Sequence, residues 1–317
     1  MLYIFKTTKM KILMFGRGVI SLQYGWALEE AGHTVHFYVR PGKKELYGSQ
    51  VHLDLLDARF DAKQMRVVKI VDITLIEYIP ADHDYELIIL SVQHYSFGQA
   101  ATELLSKING AIVLVFSNFW QDPQQLTQDF PAKKLVWGFP QAGGGWTEEH
   151  TLTGSILKDV HFGTFCTEMS EADLIIRAVF KEAKFKIIEH RDFKGWLYIH
   201  FIINAGLFSR VGGTRNVIQV LTNNQEAKKA ILNIRWGLKL VEARGIVLRR
   251  NLSDYLLFLL PVSIGAWLLK LMIKLNPPIA RILSAHSNPQ ESKSYPSAVI
   301  KTAKELGVDT LGWNQSP

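Results

Sequence analysis

Residues 11–15 (Lys-Ile-Leu-Met-Phe) form an apolar run that stops at Gly16, the length of a parallel strand buried on both faces. Apolar positions then recur at helical spacing across residues 19–31, and Gly32 ends that helix. The β-branched and aromatic segment 34–39 follows as a second strand. Strand, glycine turn, helix and strand make a βαβ unit, whose right-handed crossover predicts a parallel sheet.

The same reading predicts further strands at 66–71, 87–91, 111–116, 134–138, 155–157, 161–164 and 185–189. It also predicts a helix at 97–107, stopped by Asn109-Gly110, and one at 170–183, opened by Ser170 with acidic residues in its first turn. Beyond Lys194 strand signals fade, and long helical patterns cover 195–211, 224–244, 253–275 and 295–306. The expected fold class is therefore α/β, with an N-terminal Rossmann-type parallel sheet domain (1–190) and an all-helical C-terminal domain (191–317). Residues 255–269 are uncharged and strongly apolar. They include Pro261 and Gly265, precede Lys270 and Lys274, and fall short of the roughly 18–20 apolar residues a span requires. A core helix or a dimer interface is expected there rather than membrane association.

The chain has 317 residues, 48% of them hydrophobic, enough for two packed cores. A single cysteine, Cys166, excludes an internal disulfide and any multi-cysteine metal site, and suits a reducing, cytoplasmic setting. The first ten residues carry Lys6 and Lys9 after a very short apolar start and do not read as a signal peptide. The net charge is +7. Up to His190 there are 19 Lys and Arg against 22 Asp and Glu, and beyond it 17 against 7, so the excess lies in the helical half. Those cations are scattered and accompany no nucleic-acid motif, which leaves small anions as the expected partners.

Gly16-Arg17-Gly18-Val19-Ile20-Ser21 joins the first strand to the first helix and matches GxGxxG with Ser in the third slot. Gly16 permits the tight turn, while Gly18 lets the backbone approach a pyrophosphate held on the helix amides. The bland alternative is a glycine turn with no cofactor. After the second strand an NAD site would place Asp or Glu; the chain instead reads Arg40-Pro41-Gly42-Lys43-Lys44. A guanidinium there suits a 2′-phosphate, favouring NADP, unless these are ordinary solvated loop charges. Ala142-Gly143-Gly144-Gly145-Trp146 reads equally as a nicotinamide border or a flexible turn.

With these features the sequence resembles the ketopantoate reductase (2-dehydropantoate 2-reductase) family over nearly its whole length. The resemblance rests on the glycine turn, Arg40, residues 87–93 ending in Ser91-Val92-Gln93, and residues 113–118 ending in Ser117-Asn118. It extends to the helix 196–204 and to Glu291. It implies a Rossmann domain joined to a helical domain, and NADPH reduction of a 2-keto acid in the cleft between them. By it, Gly16, Arg17, Gly18, Val19, Arg40, Lys44, Gln93 and Asn118 are expected to hold the cofactor, and His200, Asn204 and Glu291 to face the reaction.

Departures accompany the matches. The family carries Lys where this chain has Gln93, Asn-Gly at Asn118-Phe119, a catalytic Lys at Trp196, and Asn at His200. Its substrate-binding Ser has no secure counterpart; Ser284 and Ser287 lie nearby in sequence. Tryptophan cannot donate the proton a developing alkoxide needs, whereas His200, one turn from both Trp196 and Asn204, has the chemistry for it. Lys194 is expected to point elsewhere. His200 reads equally as a core or interdomain histidine, and Glu291 as a surface carboxylate or helix cap. The functional expectation is an NADPH-dependent reductase of a small carboxylate substrate, a homodimer with no resident metal. The alternatives are a catalytically silent NADP-binding sensor or assembly protein, or a related hydroxy-acid or imine dehydrogenase.

Overall fold

A computed structural model describes residues 9–60, 65–166, 168–211, 217–310 and 313. Residues 1–8, most of the segment read for targeting, lie outside this description. The chain forms two compact units: Met1–Ser117 with Gln124–Arg191, and Asn118–Pro123 with Asp192–Pro317. The first is mixed α/β with a largely parallel sheet, and the second is helical, the architecture expected from the sequence.

In chain order the first unit contains β1 (Lys11–Phe15), α1 (Val19–Glu30), β2 (Thr34–Tyr38), α2 (Lys44–Tyr47), β3 (Gln50–Asp57), β4 (Met65–Asp72), β5 (Thr74–Ile76) and β6 (Leu87–Leu90). It continues with α3 (Phe97–Leu105), β7 (Ile112–Phe116), α4 (Pro123–Leu126, its first residue in the helical unit), β8 (Leu135–Phe139), β9 (Ala142–Trp146), β10 (Thr151–Ile156), β11 (Asp159–Gly163), α5 (Glu171–Glu182) and β12 (Lys186–His190). The main sheet has the order β12-β11-β8-β7-β6-β1-β2-β5. From β8 to β5 all neighbours run parallel; β11 pairs antiparallel with β8 and parallel with β12, so one edge departs from the all-parallel expectation. β6 and β7 are buried along their whole length, which is why their sequences are continuous apolar runs.

A second sheet, β4-β3-β10-β9, goes beyond the sequence expectation, which has no strand at β3 and only the last two residues of β10. Helix α1 packs on β2 on one side and on β9 and β10 on the other. Every side chain from Ser21 to Leu28 is consequently buried, and the helix lacks a polar face. Gln23 ties the layers together: its amide donates to the Gly143 carbonyl at 3.0 Å. The glycine-rich segment is no flexible turn but β9 itself, with Gly144 opposite Gly154 on β10. A Cβ on Gly154 would lie 2.1 Å from the Gly143 carbonyl oxygen, so only bare backbone fits that approach.

The helical unit comprises α6 (Phe193–Phe208), α7 (Val217–Thr222), α8 (Asn224–Ala243), α9 (Leu252–Leu259), α10 (Val262–Leu275), α11 (Pro277–Ala285) and α12 (Pro289–Glu305). Helix α6, apolar on nearly all sides, packs against α8 and α12. The stretch read as one helix over 253–275 is two, α9 and α10, bent by 95°. Pro261 excludes its predecessor from helical geometry, and Leu260 is extended at φ −65°, ψ 157°. The final helix begins at Pro289 under an Asn288 cap rather than at Tyr295. Among the described residues no single helix is long and apolar enough to cross a membrane. The bent pair places Tyr255, Phe258, Ala266 and Ile273 in the core of the helical unit, as a core helix would, and leaves Leu252, Leu256, Leu259, Ile264, Trp267, Met272 and Leu275 exposed on its other face.

Candidate active site

Parallel pairing places the carboxyl ends of β7, β6, β1 and β2 side by side. The chain leaves β1 toward β2 on one flank and returns to β6 on the other, so β1 and β6 border a topological switch point, where open α/β sheets bind ligands. Gly16 sits at that point with φ +118°, a conformation L side chains rarely adopt, and its N–H donates to the Met14 carbonyl at 3.0 Å. Gly18 caps α1, and a Cβ built there meets nothing within 4 Å. The first helical hydrogen bond runs from Leu22 N–H to Gly18 O, so the amides of the opening turn have no helical acceptor. No side chain caps them and no carboxylate occupies that turn. Bare glycine, open space and free amides fit a dinucleotide pyrophosphate.

Next along this edge, the backbone turns after β2 through a Lys43 N–H to Arg40 carbonyl bond of 3.1 Å. Arg40 and Lys44 are exposed. Glu77, just past β5, accepts the Lys44 backbone N–H at 2.7 Å. Arg17 projects from the glycine turn onto two aromatic rings, its guanidinium carbon 4.9 Å from the Tyr47 centroid and 4.9 Å from that of Trp146. At the end of β6, the Ser117 hydroxyl accepts from Val92 N–H at 3.3 Å and donates to Val92 O at 2.7 Å. This fixes the backbone that leads into Gln93, which caps a short 3₁₀ turn at 94–96.

Asn118, one residue beyond Ser117, belongs to the helical unit. It is buried; its side-chain oxygen accepts Phe119 N–H at 3.0 Å, while its Nδ2 is buried without a partner. The segment it opens is anchored by Trp120, which stacks on Phe201 and donates its indole N–H to Thr302 Oγ1 at 2.8 Å. Arg244 lies over both Trp120 and Tyr198, and Lys194 pairs with Asp122. Lys194 is thus committed to an ion pair.

On α6, Trp196, His200, Asn204 and Phe208 follow one another at four-residue spacing, forming one row. Trp196 is buried, stacked on His200 at 5.1 Å and on Phe193, and its indole N–H donates to Asp254 Oδ1 at 3.1 Å. His200 and Asn204 are half-buried. Phe208 ends the row against the His286 ring at 5.1 Å, and His286 Nε2 lies 3.1 Å from Glu291 Oε2. Glu291 is thereby a mostly buried carboxylate at the foot of the His200–Asn204 row, not a surface charge, and Asn288 rather than Glu291 caps α12. Ser284 donates its hydroxyl to its own helix at Arg281 O, which leaves the substrate-serine role unassigned.

A family model described as ketopantoate reductase PanE/ApbA matches residues 12–165. Over those residues, just under half of the chain, the sequence is similar to that family. Solved structures resemble the chain over 96% of its length. One is 2-dehydropantoate 2-reductase from Geobacter metallireducens GS-15, with TM-score 0.66, 13% identity and 96% of each chain covered. Another is D-mandelate dehydrogenase in a ternary structure with NADH and anilino(oxo)acetate, with TM-score 0.66, 15% identity, and 96% of this chain and 95% of that one covered. A third is the dimeric ketopantoate reductase from Staphylococcus aureus, with TM-score 0.60, 10% identity and 96% of each chain covered. At these identities they speak for the fold. No curated protein sequence matches.

The structure groups the expected residues in two sets. Gly16, Arg17, Gly18, Val19, Arg40, Lys44 and Gln93 share the carboxyl edge of the first unit's sheet; His200, Asn204 and Glu291 share one side of the helical unit, with Asn118 on a separate segment of it. Sequence reading missed Tyr47, Trp120, Arg244 and His286, and it named Trp146 only as part of the glycine-rich segment. Only the Asn288 cap and the nearness of His286 to Glu291 in sequence were available as local signals.

Proposed function

We propose that the chain is an NADPH-dependent reductase that converts a small 2-keto acid, ketopantoate or a relative, to the 2-hydroxy acid. The observation that carries this reading is the glycine turn at the switch point, its amides unclaimed and Arg40 and Lys44 at the neighbouring strand end. The bound dinucleotide supplies a hydride; this chain supplies the rest. His200, in van der Waals contact with the indole of Trp196, gives a proton to the developing alkoxide. Asn204 supplies amide donors for the substrate's oxygens, and Glu291, set by His286, completes the polar row. Asn118, whose buried amide N–H₂ has no partner, serves the cofactor. The exposed apolar face of α9 and α10 supports a homodimer through the helical unit.

The deciding experiment is anaerobic stopped-flow with NADPH and a panel of 2-keto acids, including ketopantoate and benzoylformate, from pH 5 to 8. Substrate-dependent oxidation that disappears in His200→Ala is expected; no oxidation with any member defeats the reading. A second reading, a catalytically silent NADP-binding protein, draws on Trp196: the position aligned with the family's lysine is filled by an indole locked on Asp254. Tight NADPH binding without turnover favours it.

A further inference from the structure

We propose that Arg17 is a second cation of the cofactor's 2′-phosphate site, working beside Arg40 to select the phosphorylated dinucleotide. The proposal rests on the NADPH reading above and assigns a role to a position inside the glycine turn itself.

The direction of the side chain carries the argument. A residue between the two turn glycines has two neighbours available, the pyrophosphate side and the strand end where the ribose 2′ position is read. Arg17 takes the second: its guanidinium lies against Tyr47, the last residue of α2, in the segment that starts at Arg40 and includes Lys43 and Lys44. Trp146, from β9, flanks it too. Aromatic contacts of this kind engage the guanidinium's flat faces and leave its in-plane N–H donors for an anion. No carboxylate claims them among the described residues, and Nε is buried with no acceptor. Burial also lowers the guanidinium's pKa, the mark of a cation partly stripped of water and uncompensated. An arriving phosphate dianion relieves that cost, and a 2′-hydroxyl does not. Arg17 also pins the basic segment over the glycine turn through Tyr47, so the two cations come to the phosphate from different strands.

The test measures binding, by calorimetry, of adenosine 2′,5′-bisphosphate and of 5′-AMP, which differ only in the 2′-phosphate. The unsubstituted protein is expected to bind the bisphosphate about a hundredfold tighter. Arg17→Gln is expected to lose about tenfold or more on the bisphosphate, the loss of one charge-assisted contact, with 5′-AMP affinity kept within about twofold. Tyr47→Ala, which leaves the charge but removes its support, is expected to fall between. Retained 5′-AMP binding certifies that each variant is folded. Equal weakening of both ligands in Arg17→Gln overturns the proposal, because Arg17 then serves the shared adenosine or 5′-phosphate; so does an unchanged bisphosphate affinity. If the unsubstituted protein fails to distinguish the two ligands, the NADPH reading falls, and that outcome is separate from any variant.

Discussion

Gly16 and Gly18 lie two residues apart, yet alanine should harm them in opposite ways. At Gly16 the obstacle is the backbone: φ is +118°, and the nearest atom to a built Cβ is Ser21 Oγ at 4.0 Å, so space is adequate and strain is the whole cost. Holding an L-residue there costs about 1–3 kcal/mol. For a domain of this size that lowers the melting temperature by about 2–4 °C per kcal/mol. At Gly18 the backbone is ordinary, φ −73°, ψ 171°, and a methyl meets nothing within 4 Å. The protein should tolerate Gly18→Ala with a loss of about 1 kcal/mol or less, the difference between Gly and Ala as a cap. The methyl instead fills the space a pyrophosphate needs. Forcing it away from even one amide forfeits a charge-assisted hydrogen bond of about 1.5–3 kcal/mol, or at least about tenfold in Kd. Differential scanning fluorimetry and NADPH titration by fluorescence separate the two effects. If Gly18→Ala binds NADPH as tightly as the unsubstituted protein, the cofactor does not lie on this turn.

Three further outcomes are expected. Gly154→Ala drives a methyl into the Gly143 carbonyl and should cost about 1–3 kcal/mol of overpacking, read as a lower denaturant midpoint; an unchanged midpoint contradicts the β9–β10 pairing. The Glu29 carboxyl is pushed up to about 7 by burial and then by Glu30, so the folded state binds its proton more tightly than the unfolded chain does and stability falls as pH rises from about 4.5 to 7. Glu29→Gln should therefore be more stable than the unsubstituted protein at pH 8 and indistinguishable from it near pH 4, as chemical denaturation at the two pH values will report. Trp267→Glu, on the exposed face of α10, should convert the proposed dimer to monomers in sedimentation velocity; a dimer that persists places the interface elsewhere, and an unsubstituted protein that is already monomeric defeats the dimer proposal.

Much of the fold was legible because its causes are local. The apolar runs of β1, β6 and β7 could only be strands covered on both faces, and the Ser170 capping box announced α5 at its first residue. Other signals were present but misread. Pro261 marks the break between α9 and α10, and the alternation Val51-His52-Leu53-Asp54-Leu55 is the period-two signature of β3. Glycines 143–145 were opaque, since a strand built on close backbone approach has no side-chain pattern to read.

By itself the sequence determined the glycine turn, the basic segment after β2, the four-residue row on α6 and the division into sheet and helices. Each follows from backbone rules that act within a few residues. Only the tertiary structure decided what those residues touch. Trp196 is locked by Asp254, 58 positions away, and Trp120 is anchored on Thr302, 182 positions away. Arg17 meets Trp146 because α1 is clasped between two sheets, and Glu291 reaches the α6 row because α12 buries its apolar side there. Burial free energy summed over whole elements selects such partners, and no local pattern encodes that sum.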